Sequence, residues 1–175
     1  MVAAPRPWAT PVNGWSDLLG TYAGRTFNHG LYRLHTHDTA ELANEAVAAL
    51  RPDFAGQIAC FGYDWLGRQF GIDLRPNRSE TVLLAEHGTG EILEIPATFV
   101  DFHEAILTEH ADAAIAVGFF EAWANARPET LPLRLHQCVG YRVPLFLGGR
   151  DELDNLGAID LWVDWDLAAQ LLRGG

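Results

Sequence analysis

The chain has 175 residues, 49% hydrophobic and 20% charged, which is enough apolar material for one buried core and too little charge for a disordered chain. Its 12 bases, all arginine, face 23 acids, for a net charge of -11. That balance repels polyphosphates and anionic bilayers, so neither direct nucleic-acid binding nor docking on a membrane is expected.

Residues 1–14 read as a proline-rich arm without the apolar stretch of a secretory leader, and residues 15–175 as one domain. A short helix is expected from Trp15 to Tyr22, a loop over GRTFNHG, and a strand over Gly30–His35. Asp38 with Glu41 three residues on resembles a capping box, and Leu42, Ala43, Ala46, Val47 and Leu50 follow at helical spacing until Pro52. Gln57–Phe61 reads as a buried strand, and GYDWLGRQFGID as a turn and a second strand. ETVLLAEH and EILEIP flank GTG, which predicts a hairpin. Thr98 and Asp101 open a helix carrying Phe99, Phe102 and Ile106. Asp112 is expected to cap another, with Ile115, Phe119 and Trp123 on one face. CVGYRVPLFLGG reads as an edge strand interrupted by Pro144, LGAIDLWVDW as a further strand, and LAAQLL as a short helix capped by Asp166. Interleaved but hairpin-joined elements predict an α+β fold: a mainly antiparallel sheet with packed helices, in a single compact domain. No run approaches the ~18 apolar residues that span a bilayer. Cys60 and Cys138 lie in apolar runs and are expected to be buried free thiols, so the protein is read as cytoplasmic.

Few residue patterns point to catalysis. His35 and His37, two apart after a strand, could begin a metal site, but no HExxH or CxxC completes it. His103 and His110 stand two helical turns apart, about 10.5 Å, too far for joint ligation. Cys138 beside His136 lacks an electropositive setting, and neither Ser16 nor Ser79 lies in a G-x-S-x-G elbow. No glycine motif cradles phosphate. No catalytic, cofactor or metal residue is therefore assigned.

The acidic carboxy-terminal quarter stands out, with six acids against Arg173 alone from Asp151 onward, a net charge of -5. As a strand, Asp160, Trp162, Asp164 and Asp166 would share one face, and Leu161, Val163 and Trp165 the other. That face, with Asp151 and Asp154, is the expected partner-binding surface. Exposed charges would steer a basic protein, so neutralising Asp160 and Asp164 is expected to lower the association rate and flatten its salt dependence while affecting folding little. Trp162, Trp165, Tyr63 and Trp65 are the aromatic interface candidates.

At these residues the chain resembles a known family. FGYDWLGRQF (61–70), GTGEILEIP (88–96) with Phe99 and Phe102, CVGYRVPLFLGGRD (138–151), Asn155-Leu156 and IDLWVDW (159–165) are together similar to the Tdi-type immunity proteins of type VI secretion. GLYRLH resembles that family's leading segment, and FGYDWLG with GTGE is also similar to the SUKH immunity superfamily. Family members often carry a longer amino-terminal GAD-like region. The resemblance covers about residues 30–172 and implies a protein without catalysis or cofactor. Its implied role is to neutralise a co-encoded DNase toxin by direct binding, so a basic toxin nuclease is the implied partner. The alternatives are a small metal-dependent hydrolase using His35 and His37, and a regulatory interaction module with no toxin partner.

Overall fold

Six strands run antiparallel and in chain order across the main sheet: β1 (Thr26–Phe27), β2 (Tyr32–Leu34), β3 (Ile58–Asp64), β4 (Gln69–Asp73), β5 (Val82–Glu86) and β6 (Glu91–Ile95). The computed structural model describes residues 12–76, 78 and 80–174, so most of the expected proline-rich arm, residues 1–11, lies outside the described residues. The fold is a single α+β domain, mainly antiparallel, as the sequence predicts.

Both faces of the sheet are covered, which is why every residue of β3 and β4 is buried. Phe61, Phe70, Ile72, Val82 and Leu84 join one core with α1 (Trp15–Tyr22) and the helices between residues 99 and 126. Ile58, Cys60, Leu83 and Ala85 join a second core with α2 (His37–Leu50) and α7 (Leu161–Gly174). A bulge between Cys60 and Gly62 reverses the alternation, so Phe61 belongs to the first core and Tyr63 to the second.

Local chemistry explains most helix boundaries. α2 is capped by Thr36 rather than Asp38, through reciprocal bonds with Thr39, while Asp38 sits in the first turn where its charge suits the helix dipole. α3 (Phe99–Asp101) opens at Thr98 as expected and runs through a π-helical turn, Phe102–Ile106, into α4 (Leu107–Glu109). The helix predicted from Asp112 to Trp123 is broken. α5 (Ala111–Ile115) ends at Ala116 in the left-handed conformation, and α6 (Val117–Ala126) begins. The physical reason is the Asp112 carboxylate, which accepts the Gly118 N–H at 2.7 Å and so caps the second helix.

The largest correction concerns the carboxy terminus. β7 (Gln137–Tyr141) pairs with β8 (Leu156–Asp160) in a separate two-stranded sheet, and the strand stops at Asp160. Asp160 Oδ1 accepts the N–H groups of Trp162 and Val163 at 3.0 and 3.2 Å, the bonds of an N-cap, and α7 starts at once. Leu161, Trp165, Ala168 and Ala169 recur at helical spacing and are buried. Asp166 therefore lies in the second turn and caps nothing.

A buried polar cluster joins these parts. Asp64 accepts the backbone N–H of Leu66 and of Arg68, each at 3.0 Å, and Arg68 Nε at 2.7 Å. Arg68 also donates to the Ala114 carbonyl on α5 and reaches Glu86 on β5. Arg33, fully buried, donates to the carbonyls of Asp64, Arg134 and Gln137 and lies 4.4 Å from the centre of the Tyr63 ring. Breaking a buried ion pair strands its partner charge, so Asp64→Ala is expected to cost about 3–5 kcal/mol in urea denaturation. Arg51→Ala, which removes the exposed pair with Asp53 at 2.8 Å, should cost under about 1 kcal/mol.

Candidate functional site

The structure separates the six residues assigned to the partner surface. Asp151 is exposed and accepts the Tyr141 hydroxyl at 2.7 Å. Asp154 is exposed and pairs with Arg150 at 3.1 Å, while Glu152 holds the same guanidinium at 2.9 Å. Asp166 is exposed and accepts from Gln170 at 2.6 Å. Asp160 is committed to the α7 cap, and Trp162 is half-buried with its indole 6.4 Å from the His35 ring. Asp164 is buried: its carboxylate takes His87 Nε2 at 2.8 Å and lies 3.7 Å from Cys138 Sγ. No single strand face carries these carboxylates, because residues 161–166 are helical and successive side chains turn by about 100°. Asp164 is thus not the exposed residue that the strand reading assumed, and its carboxylate is committed to His87. Trp65, Trp165 and Tyr63 are core residues.

What the strand reading concealed is the exposed side of α7. Val163, Leu167 and Leu171 fall at i, i+4 and i+8 and remain 49%, 45% and 44% exposed. Beside this row lies a cavity of about 250 Å³ lined by Tyr141, Ile159, Leu167 and Leu171, with His87 and Asp164 in its wall. Gly140 on β7 admits the Asp164 carboxylate, since a Cβ there would collide with it. The Nδ1 of His87 is buried and has no hydrogen-bond partner among the described residues. Burial, with the bond to Asp151 second, pushes the Tyr141 hydroxyl up, so it stays protonated as a donor. The spacing of the α7 row is present in the sequence, but only the helix assignment gives it meaning.

The histidine and thiol candidates find other roles. His35 is buried against the Tyr63 ring, and both its nitrogens are engaged, Nε2 donating to Gln69 at 2.7 Å and Nδ1 meeting Thr39 at 3.1 Å. With His37 exposed on α2, the two imidazoles do not converge. No group of three or more His, Cys, Asp or Glu that could hold a metal occurs among the described residues. Burial, then the Asp164 charge, raises the Cys138 thiol well above its ordinary range, so it is no thiolate nucleophile. Burial likewise raises Cys60. His110 is exposed, whereas His103 is half-buried and tied to Tyr32 at 3.0 Å.

His35 and His103 are held neutral, since burial lowers each to about 4. In the unfolded chain a histidine titrates near 6.5, so on acidification the unfolded state takes up protons first. The stability these groups supply is complete above pH ~6.5 and is lost as pH falls toward 4, on the order of 3 kcal/mol each. Urea midpoints are expected to fall between pH 7 and 4.5, with a shallower fall in His103→Phe.

No family model matches the chain, and no curated protein matches it. Among solved structures, the chain is similar to Atu4351 from Agrobacterium tumefaciens, with a TM-score of 0.51 at 17% identity. The match covers 83% of this chain and 69% of that one, a likeness of fold.

Proposed function

We propose that the protein is a non-enzymatic, cytoplasmic immunity protein that neutralises a basic toxin nuclease by binding it through α7 and the adjoining cavity. The observation that carries this reading is the exposed row Val163, Leu167 and Leu171, flanked by the Asp166 carboxylate and continuous with the cavity through Leu167 and Leu171. Exposed apolar patches with polar rims mark interaction sites, and interface cores are apolar while their rims are charged. The occupant follows from charge. A chain at -11 with no lysine attracts a cationic surface, and a nuclease must present one to hold a polyanion. Among the described residues no helix is long and apolar enough to cross a membrane.

The division of labour is physical. Asp151, Asp154 and Asp166 supply field and so act on the encounter rate, as exposed charges do. The α7 row supplies apolar area and so acts on the lifetime of the complex. The Asp164–His87 couple fixes α7 against the β5–β6 turn.

The test is inhibition of DNA cleavage by the co-encoded DNase that this reading requires. Equimolar protein is expected to stop cleavage. Asp151→Asn with Asp166→Asn should lower the association rate and flatten its salt dependence, whereas Leu167→Asp should raise Kd at least about tenfold through dissociation. Cleavage that continues in excess protein refutes the immunity role and leaves a regulatory module as the better account. Wild-type affinity in Leu167→Asp would remove α7 from the interface.

A further inference from the structure

The opposite face of the sheet holds a larger cavity, about 390 Å³, between α1, β2 and the helices α4 to α6. That volume falls within the ~300–1,000 Å³ of small-molecule sites, and the cavity beside α7 does not. Its wall is mostly apolar, including Leu18, Phe27, Leu107 and Val117, and no carboxylate or guanidinium of the described residues lines it. Tyr22, Asn28, Tyr32 and His103 form its polar part, and of these the buried Tyr32 and the half-buried His103 are paired.

The hydrogen-bond directions of the Tyr32–His103 pair are fixed. The Phe99 carbonyl can only accept, so His103 Nδ1 carries the proton and donates to it at 2.8 Å. Nε2 of the neutral ring is then a bare acceptor and takes the Tyr32 hydroxyl at 3.0 Å. Tyr32 has thus committed its only proton, and its oxygen offers lone pairs alone. Burial lowers His103 to about 4, which keeps this arrangement at neutral pH.

The backbone around this cavity departs from local rules at three places. His103 sits in the π-helical turn Phe102–Ile106. Ala116, between the lining residues Ile115 and Val117, has φ 50°, and Asn28 in the wall and His29 after it have φ 47° and 59°. A left-handed alanine costs about 1–2 kcal/mol, and such departures cluster at binding sites.

We propose that this cavity binds a small, uncharged, mainly apolar molecule carrying one hydroxyl or N–H donor, which the Tyr32 oxygen accepts. An anion finds no cation in the wall, and a cation finds no carboxylate. A hydrocarbon leaves the Tyr32 lone pairs unused.

Three probes of one shape separate these cases: 2-naphthol, naphthalene and 2-naphthoate, titrated against the full chain by NMR. The naphthol is expected to bind about five- to tenfold tighter than naphthalene, the worth of one hydrogen bond, and the naphthoate weakest. Tyr32→Phe should bring naphthol to the affinity of naphthalene while leaving naphthalene unchanged. Ala111→Phe should fill the cavity and abolish binding of both, with Val117→Phe as the second filling variant should the first not fold. Equal affinity for naphthol and naphthalene, tightest binding of the naphthoate, binding that survives the filled cavity, or no binding at the solubility limit would each overturn the proposal. The cavity is remote from α7, so Ala111→Phe is expected to inhibit the nuclease as the wild type does.

Discussion

The fold depends on the buried cluster of Arg33, Asp64 and Arg68. A carboxylate and two guanidiniums are costly to remove from water, and they persist only because almost every donor and acceptor finds a partner. Those partners lie on β2, β3, β5, α5 and the segment 134–137, so desolvation can be offset only when all these pieces are in place. The cluster does little for net stability compared with an apolar replacement, but it rejects alternative packings in which one partner is missing. It is also where the two-stranded sheet meets the main one, through the Trp65 carbonyl and the Val139 N–H at 2.8 Å.

This arrangement explains what the sequence disclosed and what it hid. Alternating and helical periodicities over residues 37–95 were readable because each element has one unambiguous period and clear punctuation: Pro52 after α2, and glycines in the β5–β6 turn. The stretch IDLWVDW satisfies two periods at once. Asp160, Trp162 and Asp164 suit a strand face, while Leu161, Trp165, Ala168 and Ala169 suit a helix face. Propensity does not decide between them for so short an apolar run. Tertiary context does, because Asp160 must cap and Trp165 must reach the Gly67 carbonyl, which its Nε1 donates to at 2.8 Å. The error in period carried straight into the candidate site, since face assignment is only as good as the period behind it. Three of its six members, Asp151, Asp154 and Asp166, remain exposed, and Asp164 proves to be among the best-buried carboxylates of the chain.

The His87–Asp164 pair could not have been anticipated from spacing, since 77 residues separate its members. Its position is nonetheless rational. α7 shows an apolar row to solvent, so the row cannot itself hold the helix down, and the buried side must supply the orientation. Apolar contacts from Leu161, Trp165, Ala168 and Ala169 are non-directional and would tolerate rotation of the helix. A charge-assisted hydrogen bond does not, and it fixes which side chains face out.

Departures from local rules are unevenly distributed, and that distribution separates the two faces. On the α7 face the backbone is ordinary and the anomaly lies in composition, an apolar row left exposed. On the other face, beside the exposed Tyr22 and Phe27, the backbone itself departs: a π turn, a left-handed alanine and two left-handed residues at Asn28 and His29. Exposed apolar area is what a macromolecular partner covers, because only a large surface can exclude water from a row about 12 Å long on a helix. Backbone strain around the cavity between α1, β2 and α4 to α6 shapes a pocket of a size that suits something small. The same sheet therefore separates the exposed apolar row of α7 from the cavity beside Tyr32, with β3 and β4 buried between them.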